Sequence, residues 1–415
     1  MRVFKFGGAS LKNASAIQNA ASIIRSQPPQ NLLVVVSAMG KTTDMLERML
    51  FLSRSTQAFG QTLNSIKRYH QEIIETLFHD PTDVLEEVNS YFTILEGELS
   101  KAVDPDQIYD QVVSLGELIS SVILHYYLLE KKAPSEWIDV RIFIRTDNSF
   151  REGKVDWATT SDNIQKLKPI LANKIIITQG FIGRTPDGLT TTLGREGSDF
   201  SAAIFGSSLN ASSVTIWKDV AGVMHADPKR FPNAIVFPEL PFKEASEMTY
   251  YGASVIHPKT IKPLANKSIP LLVKNFDDPS LPGTRIHECT VENLPPLIVI
   301  KDNQCLISCK VTDYTFISEE QLTLIFGALL ELSVRINVMQ NSAISFSFCI
   351  DFRESKVTKL IEKLQRNFEV YYNTGLTLIT VKNYDRETSE TYRNLQGILL
   401  EQSSRSTLQV LVKRM

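Results

Sequence analysis

The chain has 415 residues, 43% hydrophobic and 22% charged, a balance that suits two or three globular domains and excludes a disordered chain. Its 44 basic and 46 acidic residues leave a net charge of −2, so composition gives no pull toward nucleic acid or an anionic membrane. Four cysteines, at 289, 305, 309 and 349, are too few for a disulfide scaffold. The start lacks the apolar stretch of a signal peptide, and no apolar run approaches the roughly 20 residues of a membrane span. A soluble, cytoplasmic protein is expected.

Val3–Phe6 reads as a short strand that ends in Gly7-Gly8-Ala9-Ser10, followed by a helix near Ser15–Ser26 that Pro28-Pro29 stops. Leu32–Val36 is a continuous apolar run, the pattern of a strand covered on both faces. From Asp44 to about Lys132 the pattern is helical, with turns at Asp80-Pro81 and Asp104-Pro105. Strands return at Trp137–Val140, Lys174–Thr178, Ser213–Trp217 and Ile269–Val273, with helices such as Asp199–Leu209 and Pro258–Asn266 between them. Residues 1–285 therefore read as one α/β unit.

A polar stretch near Ile286–Leu297, with Pro295-Pro296, precedes a second region at 297–415. Cys305, Ile307, Cys309 and Val311 alternate as on a strand, which turns both thiols toward a core rather than a zinc ion. Ser318-x-x-Gln321 opens a helix with a capping-box pattern. Strands at Val334–Met339 and Ala343–Ile350, a helix near Ser355–Gln365 and a strand around Val370 complete a β-α-β-β-α-β, ferredoxin-like module near 304–373. Leu376–Lys382, a helix near Glu387–Leu400 and Thr407–Lys413 make a second, incomplete module at 376–415. Its missing pieces come from Leu297–Lys301, from another subunit, or not at all.

Three segments carry chemistry. In Lys5-Phe6-Gly7-Gly8-Ala9-Ser10, glycines after a buried strand let backbone N–H groups approach phosphate oxygens beside a lysine, although a plain strand-end turn has the same sequence. It is neither a Walker A loop nor a GxGxxG fingerprint. In Thr190–Asp199, two glycines lead into a helix whose start carries Ser198 and Asp199, and Arg195 suits a two-pronged grip on a carboxylate. Asp199 also fits a simple N-cap. Trp217–Lys229 follows a strand and mixes acidic, basic and glycine positions, as a nucleotide cradle would, while Asp219 and Asp227 also fit turns. Glu117 sits on an otherwise apolar helix, where it faces solvent or a base.

Seven motifs in order resemble the aspartate kinases of the amino-acid kinase family joined to a C-terminal ACT region. They are KFGGAS at 5–10, VVVSAMGKTTDML at 34–46, SLGELIS at 114–120, TTLGREGSDFSAA at 191–203, WKDVAGVMHADPK at 217–229, YGASVIHPKT at 251–260 and PGT at 282–284. The resemblance implies an α/β fold with a mainly parallel sheet between helices over 1–285, then ferredoxin-like α+β ACT modules over 297–415 that regulate and dimerise. It implies transfer of the ATP γ-phosphoryl group to the side-chain carboxylate of L-aspartate, with Mg²⁺ beside the nucleotide, at the head of lysine, threonine and methionine biosynthesis. By motif position, Lys5 and Asp199 are catalytic; Thr43, Glu117, Arg195 and Ser198 bind aspartate. Gly7, Gly8, Ser10, Lys218, Asp219, Met224, Asp227 and Lys229 bind ATP, and no residue is assigned as a direct metal ligand. A homodimer through the ACT region is expected, with lysine or threonine as a possible effector.

The chain also departs from the pattern. The family commonly has Gly where Glu196 stands, Lys where Ser254 stands, and often Thr in place of Lys218. ACT effector loops often use glycine, yet none occurs between Gln304 and Phe326 or between Lys382 and Gln396. Glu117 and Arg195, with the ACT tail, favour aspartate over glutamate, acetylglutamate or a nucleoside monophosphate as acceptor. The rival reading is a catalytically silent amino-acid sensor.

Overall fold

Leu32–Val36 is buried at all five positions, as a strand covered on both faces must be. It lies near the middle of the largest of three sheets in a computed structural model that describes residues 1–54, 59–101, 103–253, 256–292, 294–312 and 315–413. The chain divides into two units: Met1–Val223, Val236–Ser246 and Ser254–Val291 in one, and Met224–Ile235, Glu247–Ala253 and Glu292–Met415 in the other.

In the first unit the elements are β1 (Arg2–Phe6), α1 (Ala14–Arg25), β2 (Leu32–Val36), α2 (Thr42–Arg54), α3 (Gly60–Leu77), α4 (Thr82–Leu99), α5 (Pro105–Glu130), β3 (Ser135–Ile138) and α6 (Val140–Phe143). They continue with α7 (Trp157–Gln165), α8 (Lys168–Leu171), β4 (Ile175–Gln179), β5 (Ile182–Arg184), β6 (Thr190–Thr192), α9 (Gly197–Ser208) and β7 (Ser213–Lys218). Then come β8 (Glu239–Pro241), α10 (Phe242–Tyr251), whose second half belongs to the other unit, α11 (Pro258–Ala265), β9 (Leu271–Asn275) and β10 (Thr284–His287). The sheet order is β3-β4-β2-β1-β7-β9-β10-β8, with β10 antiparallel to β9 and every other pair parallel. In such a sheet ligands gather beyond the carboxyl ends of the strands.

The second unit contains β11 (Leu297–Lys310), α12 (Glu319–Glu331), β12 (Ile336–Asn341), β13 (Ser345–Asp351), α13 (Glu354–Leu364), β14 (Glu369–Lys382), α14 (Arg386–Arg393), β15 (Ile398–Ser403) and β16 (Thr407–Lys413). Its sheet runs β12-β13-β11-β14-β16-β15. The central strands β11 and β14 are 14 residues each and pair antiparallel from Leu297↔Lys382 to Lys310↔Glu369 across a bulge near Gln304. Cys305, Ile307 and Cys309 pack with Phe348 and Leu360 in one core, and Val381, Leu408 and Val410 form another. Gln321 accepts a hydrogen bond from the Ser318 N–H at 2.6 Å, closing the capping box. The segment Met224–Ile235 is held on this sheet: the Ile298 N–H donates to the His225 carbonyl at 2.7 Å, and Arg230 pairs with Asp302. Lys382, with a buried ammonium, lies 2.6 Å from Glu247.

Of the three sources the sequence leaves open for the missing strand of the second module, the structure bears out the first: Leu297–Lys301 is the first half of β11 and pairs with the second half of β14. Three other expectations need correction. Val370 and Leu376–Lys382 are one strand, because Tyr371–Asn373 pair with Leu306–Ser308 on β11 and bridge the gap. The helix near Glu387–Leu400 stops at Arg393; Gly397, at φ +76°, turns the chain, and Ile398–Ser403 pair with β16. Val140 opens a short helix rather than ending a strand, because the Asp139 carboxylate caps it through the Arg141 N–H at 2.9 Å. In addition, α5 is long and apolar enough to cross a membrane, contrary to the reading of the sequence, but most of it is buried inside the protein as a core helix.

Candidate active site

Lys5 and Lys218 stand near the carboxyl ends of the neighbouring parallel strands β1 and β7, whose register sets Phe6 beside Trp217. Asp199, the third residue of α9, comes to both: its Oδ1 lies 2.7 Å from Lys5 Nζ and its Oδ2 3.3 Å from Lys218 Nζ. The carboxylate is 2% exposed. Burial alone would raise its pKa, but the two ammonium groups more than offset that and hold it below the ordinary value. Asp199 is therefore not an N-cap. That position falls to Glu196, which makes no capping bond and sits at φ +53°, the left-handed region that favours glycine. Burial raises the Glu196 carboxyl despite nearby Lys218, and its Oε2 has no hydrogen-bond partner.

Backbone crowds the loops in front of these charges. A Cβ at Gly8 would lie 2.8 Å from the carbonyl oxygens of both Ala38 and Gly40. The Gly40 N–H donates to the Gly8 carbonyl at 3.0 Å, so the loops after β1 and β2 are stacked on each other. A Cβ at Gly7 would stand 3.3 Å from Lys5 Nζ, and the Ser10 hydroxyl is 3.5 Å from the Trp217 carbonyl. Gly180, just past β4, admits the start of α9: a Cβ there would come within 2.5 Å of the Ser198 Cβ. Free amides of a helix N-terminus, glycine loops and two lysines at one sheet edge form an arrangement suited to a polyanionic phosphate.

Glu117 lies on α5, buried, with a backbone hydrogen bond from Ala38 and Lys5 nearby. Burial pushes its carboxyl up to about 8, against the lowering effect of both neighbours, and its Oε2 has no partner. A buried carboxylate with an open oxygen next to a lysine is placed to receive a cation. The same helix is fixed by Asp110, which accepts from the Thr192 N–H and hydroxyl, each at 2.8 Å, and from the Arg151 N–H at 2.9 Å. Asp110 thereby ties α5 to the segment that leads into α9.

The structure brings Lys5, Gly7, Gly8, Ser10, Glu117, Ser198, Asp199 and Lys218 together. Thr43 is the half-buried second residue of α2, Arg195 is exposed two residues before α9, and Asp219 is exposed just past β7. Their part rests on sequence position. Met224, Asp227 and Lys229 belong to the segment held in the second unit, where the Asp227 side chain accepts from the Lys229 N–H at 2.9 Å as a turn residue does. Ser254 lies outside the described residues. Sequence reasoning missed the parts played by Asp110, Gly40 and Gly180; a single aspartate on an apolar helix, a glycine in the loop between β2 and α2, and a glycine directly after β4 were the available signals.

A mainly parallel α/β sheet with glycine loops and two lysines at its carboxyl edge places the chain among α/β proteins whose site suits a phosphorylated ligand. The sequence model described as the amino acid kinase family matches residues 1–275, and the chain belongs to that family. Lysine-sensitive aspartokinase 3 of Escherichia coli (strain K12) is 32% identical over 397 residues, covering 92% of this chain and 87% of the relative. A bifunctional aspartokinase/homoserine dehydrogenase 2 of Arabidopsis thaliana is 31% identical over 393 residues, covering 90% of this chain; the chain spans 42% of that relative's length. The crystal structure of E. coli aspartokinase III in complex with aspartate and ADP superposes with a TM-score of 0.85 at 29% identity, over 100% of this chain and 96% of the other.

Proposed function

We propose that this chain is an ATP-dependent aspartate kinase, which moves the γ-phosphoryl group of ATP to the β-carboxylate of L-aspartate to give 4-phospho-L-aspartate. The observation that carries the reading is the buried Asp199 carboxylate between Lys5 and Lys218 at the carboxyl edge of the sheet. Phosphoryl transfer needs positioning and charge neutralisation above all, and an acceptor that is already an ionised carboxylate needs no general base. Lys5 takes the negative charge of the moving group, and Asp199 fixes the direction of both ammonium groups. Gly7, Gly8 and Ser10 line the phosphate loop, with Lys218, Asp219, Met224, Asp227 and Lys229 as the rest of the nucleotide set by their motif. Glu117 receives the substrate ammonium, Arg195 a carboxylate, and Thr43 and Ser198 complete the aspartate site.

The donor set fits Mg²⁺ that travels with the nucleotide. Among the described residues no group of three His, Cys, Asp or Glu forms a cage, and Mg²⁺ ordinarily takes one or two carboxylates beside phosphate oxygens and water. Asp199 would help hold the ion's phosphates through Lys5 and Lys218, and the bound ion would supply neutralisation of phosphate charge.

The second unit reads as an ACT region that dimerises and regulates the enzyme. Phe316, Leu324, Phe326 and Leu330, on and just before α12, are exposed apolar side chains that a second copy would cover. Lysine is the first effector to try, given the sensitivity in the E. coli relative's name, and threonine the second. The cytoplasm suits four free thiols. The test is ADP formation with Mg²⁺-ATP in the presence and absence of L-aspartate: release that depends on aspartate supports the reading, and release equal in both sinks it.

A further inference from the structure

A groove of about 540 Å³ runs along the first unit between α7, α9 and α11, lined by Trp157, Phe200, Ser207, Lys259, Lys262 and Lys267 among others. Its volume falls in the range of small-molecule sites. Trp157 and Phe200 meet edge to face, with ring centroids 6.1 Å apart and planes at 67°, and Trp157 is 43% exposed, so a large ring faces the opening. Three lysines surround it. Lys267 Nζ is fixed by the Ser207 carbonyl at 2.7 Å and the Asn210 side-chain oxygen at 3.0 Å, both neutral acceptors that leave its charge uncompensated. Among the described residues the one carboxylate paired with these lysines is Glu152, an exposed group 3.8 Å from Lys259.

We propose that this groove binds a small organic anion with a flat ring: the ring lies on Trp157, and the phosphate, sulfonate or carboxylate lies on Lys259 and Lys262. Rings stack on exposed indole, and the cationic rim adds charge attraction, with the exposed Glu152 beside Lys259 the one acid paired to it among the described residues. Phe200 is the residue after Asp199 on α9, so an occupant would touch the helix turn that carries the aspartate of the site above. The proposal stands whether or not the chain phosphorylates aspartate.

The probe is 8-anilinonaphthalene-1-sulfonate, an aromatic anion, titrated into the full chain at low salt with direct excitation of the probe. Saturable one-to-one binding is expected. Lys262→Glu, a change at an exposed position, should weaken it about tenfold or more, as should Trp157→Ala, while Lys359→Glu on α13 should leave it unchanged. Binding unaffected by Lys262→Glu and Trp157→Ala overturns the proposal, as does equal loss in Lys359→Glu or the absence of saturable binding.

Discussion

Lys5 Nζ lies 2.7 Å from Asp199 Oδ1, with the lysine side chain 10% exposed and the aspartate 2%. A buried ion pair of this kind is weak evidence for stability in itself, because desolvation offsets much of the attraction. Its worth is directional. With Lys218 on the other oxygen, one carboxylate sets the position of two cations at the mouth of the phosphate loop.

Asp199→Asn should therefore act on both stability and turnover. It leaves two ammonium groups beside an uncharged amide, and removal of one partner from a buried pair typically costs about 3–5 kcal/mol. Turnover should fall by about 100-fold or more, as when a preorganised charge contact is removed. Denaturant unfolding and steady-state rates check the two effects; a variant with unchanged turnover contradicts the assignment of Asp199. Lys5→Ala should likewise abolish turnover in a folded protein.

Glu117 gives a pH dependence. Its carboxyl, pushed up to about 8 by burial, is neutral below that pH in the free protein and carries charge above it. Only the carboxylate attracts the substrate ammonium. The kcat/KM for aspartate should therefore rise through pH 8 and fall on the acid side by about tenfold per unit, because kcat/KM reports the free enzyme's groups. In Glu117→Gln that limb should vanish along with most of the affinity for aspartate. The sign for stability is opposite to that of a salt-bridged acid: the folded protein holds this proton more tightly, so the contribution of Glu117 is present below the unfolded value of 4.5 and is lost as pH rises toward 8.

Glu196 occupies a backbone conformation made for glycine. Glu196→Gly should relieve that conformation and stabilise the first unit by about 1 kcal/mol, since a left-handed φ costs a side-chain-bearing residue roughly that much. It also removes a half-buried carboxylate near Asp199. A measured loss of stability would show that Glu196 makes a compensating contact in the folded chain.

Gly8 and Gly7 should respond differently to alanine. At Gly8 the new methyl meets two carbonyl oxygens at 2.8 Å, which are backbone and cannot step aside; at Gly7 it meets only the movable end of Lys5 at 3.3 Å. Gly8→Ala should raise the KM for ATP about tenfold or more through displacement of the phosphate loop. Gly7→Ala should act mainly through Lys5, with a smaller change in KM. Equal effects would contradict the stacked-loop geometry.

Much of the fold could be read from local pattern. Leu32–Val36 declared itself because a strand buried on both faces is apolar at every position, and α1 because Pro28-Pro29 ends it. β14 did not, because its middle, Tyr371-Tyr372-Asn373-Thr374-Gly375, is exposed and polar enough to read as a turn; only its partner β11 keeps it extended. The chemistry was legible as residue types, not as partnerships. Lys218 was visible as a charge after a strand, but its bond to Asp199 depends on the β1–β7 register and the placement of α9, which no local window encodes. Glu117 fitted a solvent-facing or a paired carboxylate equally in sequence, and the packing of α5 against the rest of the unit decides for burial. Asp110 was missed for the same reason: its partners Arg151 and Thr192 are 41 and 82 residues away.

Trapping of the acyl phosphate with hydroxylamine tests the proposed reaction most directly. The enzyme, Mg²⁺-ATP and hydroxylamine are incubated with L-aspartate, with L-glutamate, or with no acceptor, and the hydroxamate is measured. Aspartate β-hydroxamate formed with L-aspartate and little or none with L-glutamate is the predicted result. No hydroxamate from L-aspartate, with ATP binding intact, would contradict phosphoryl transfer to aspartate and leave the chain as a nucleotide-binding sensor.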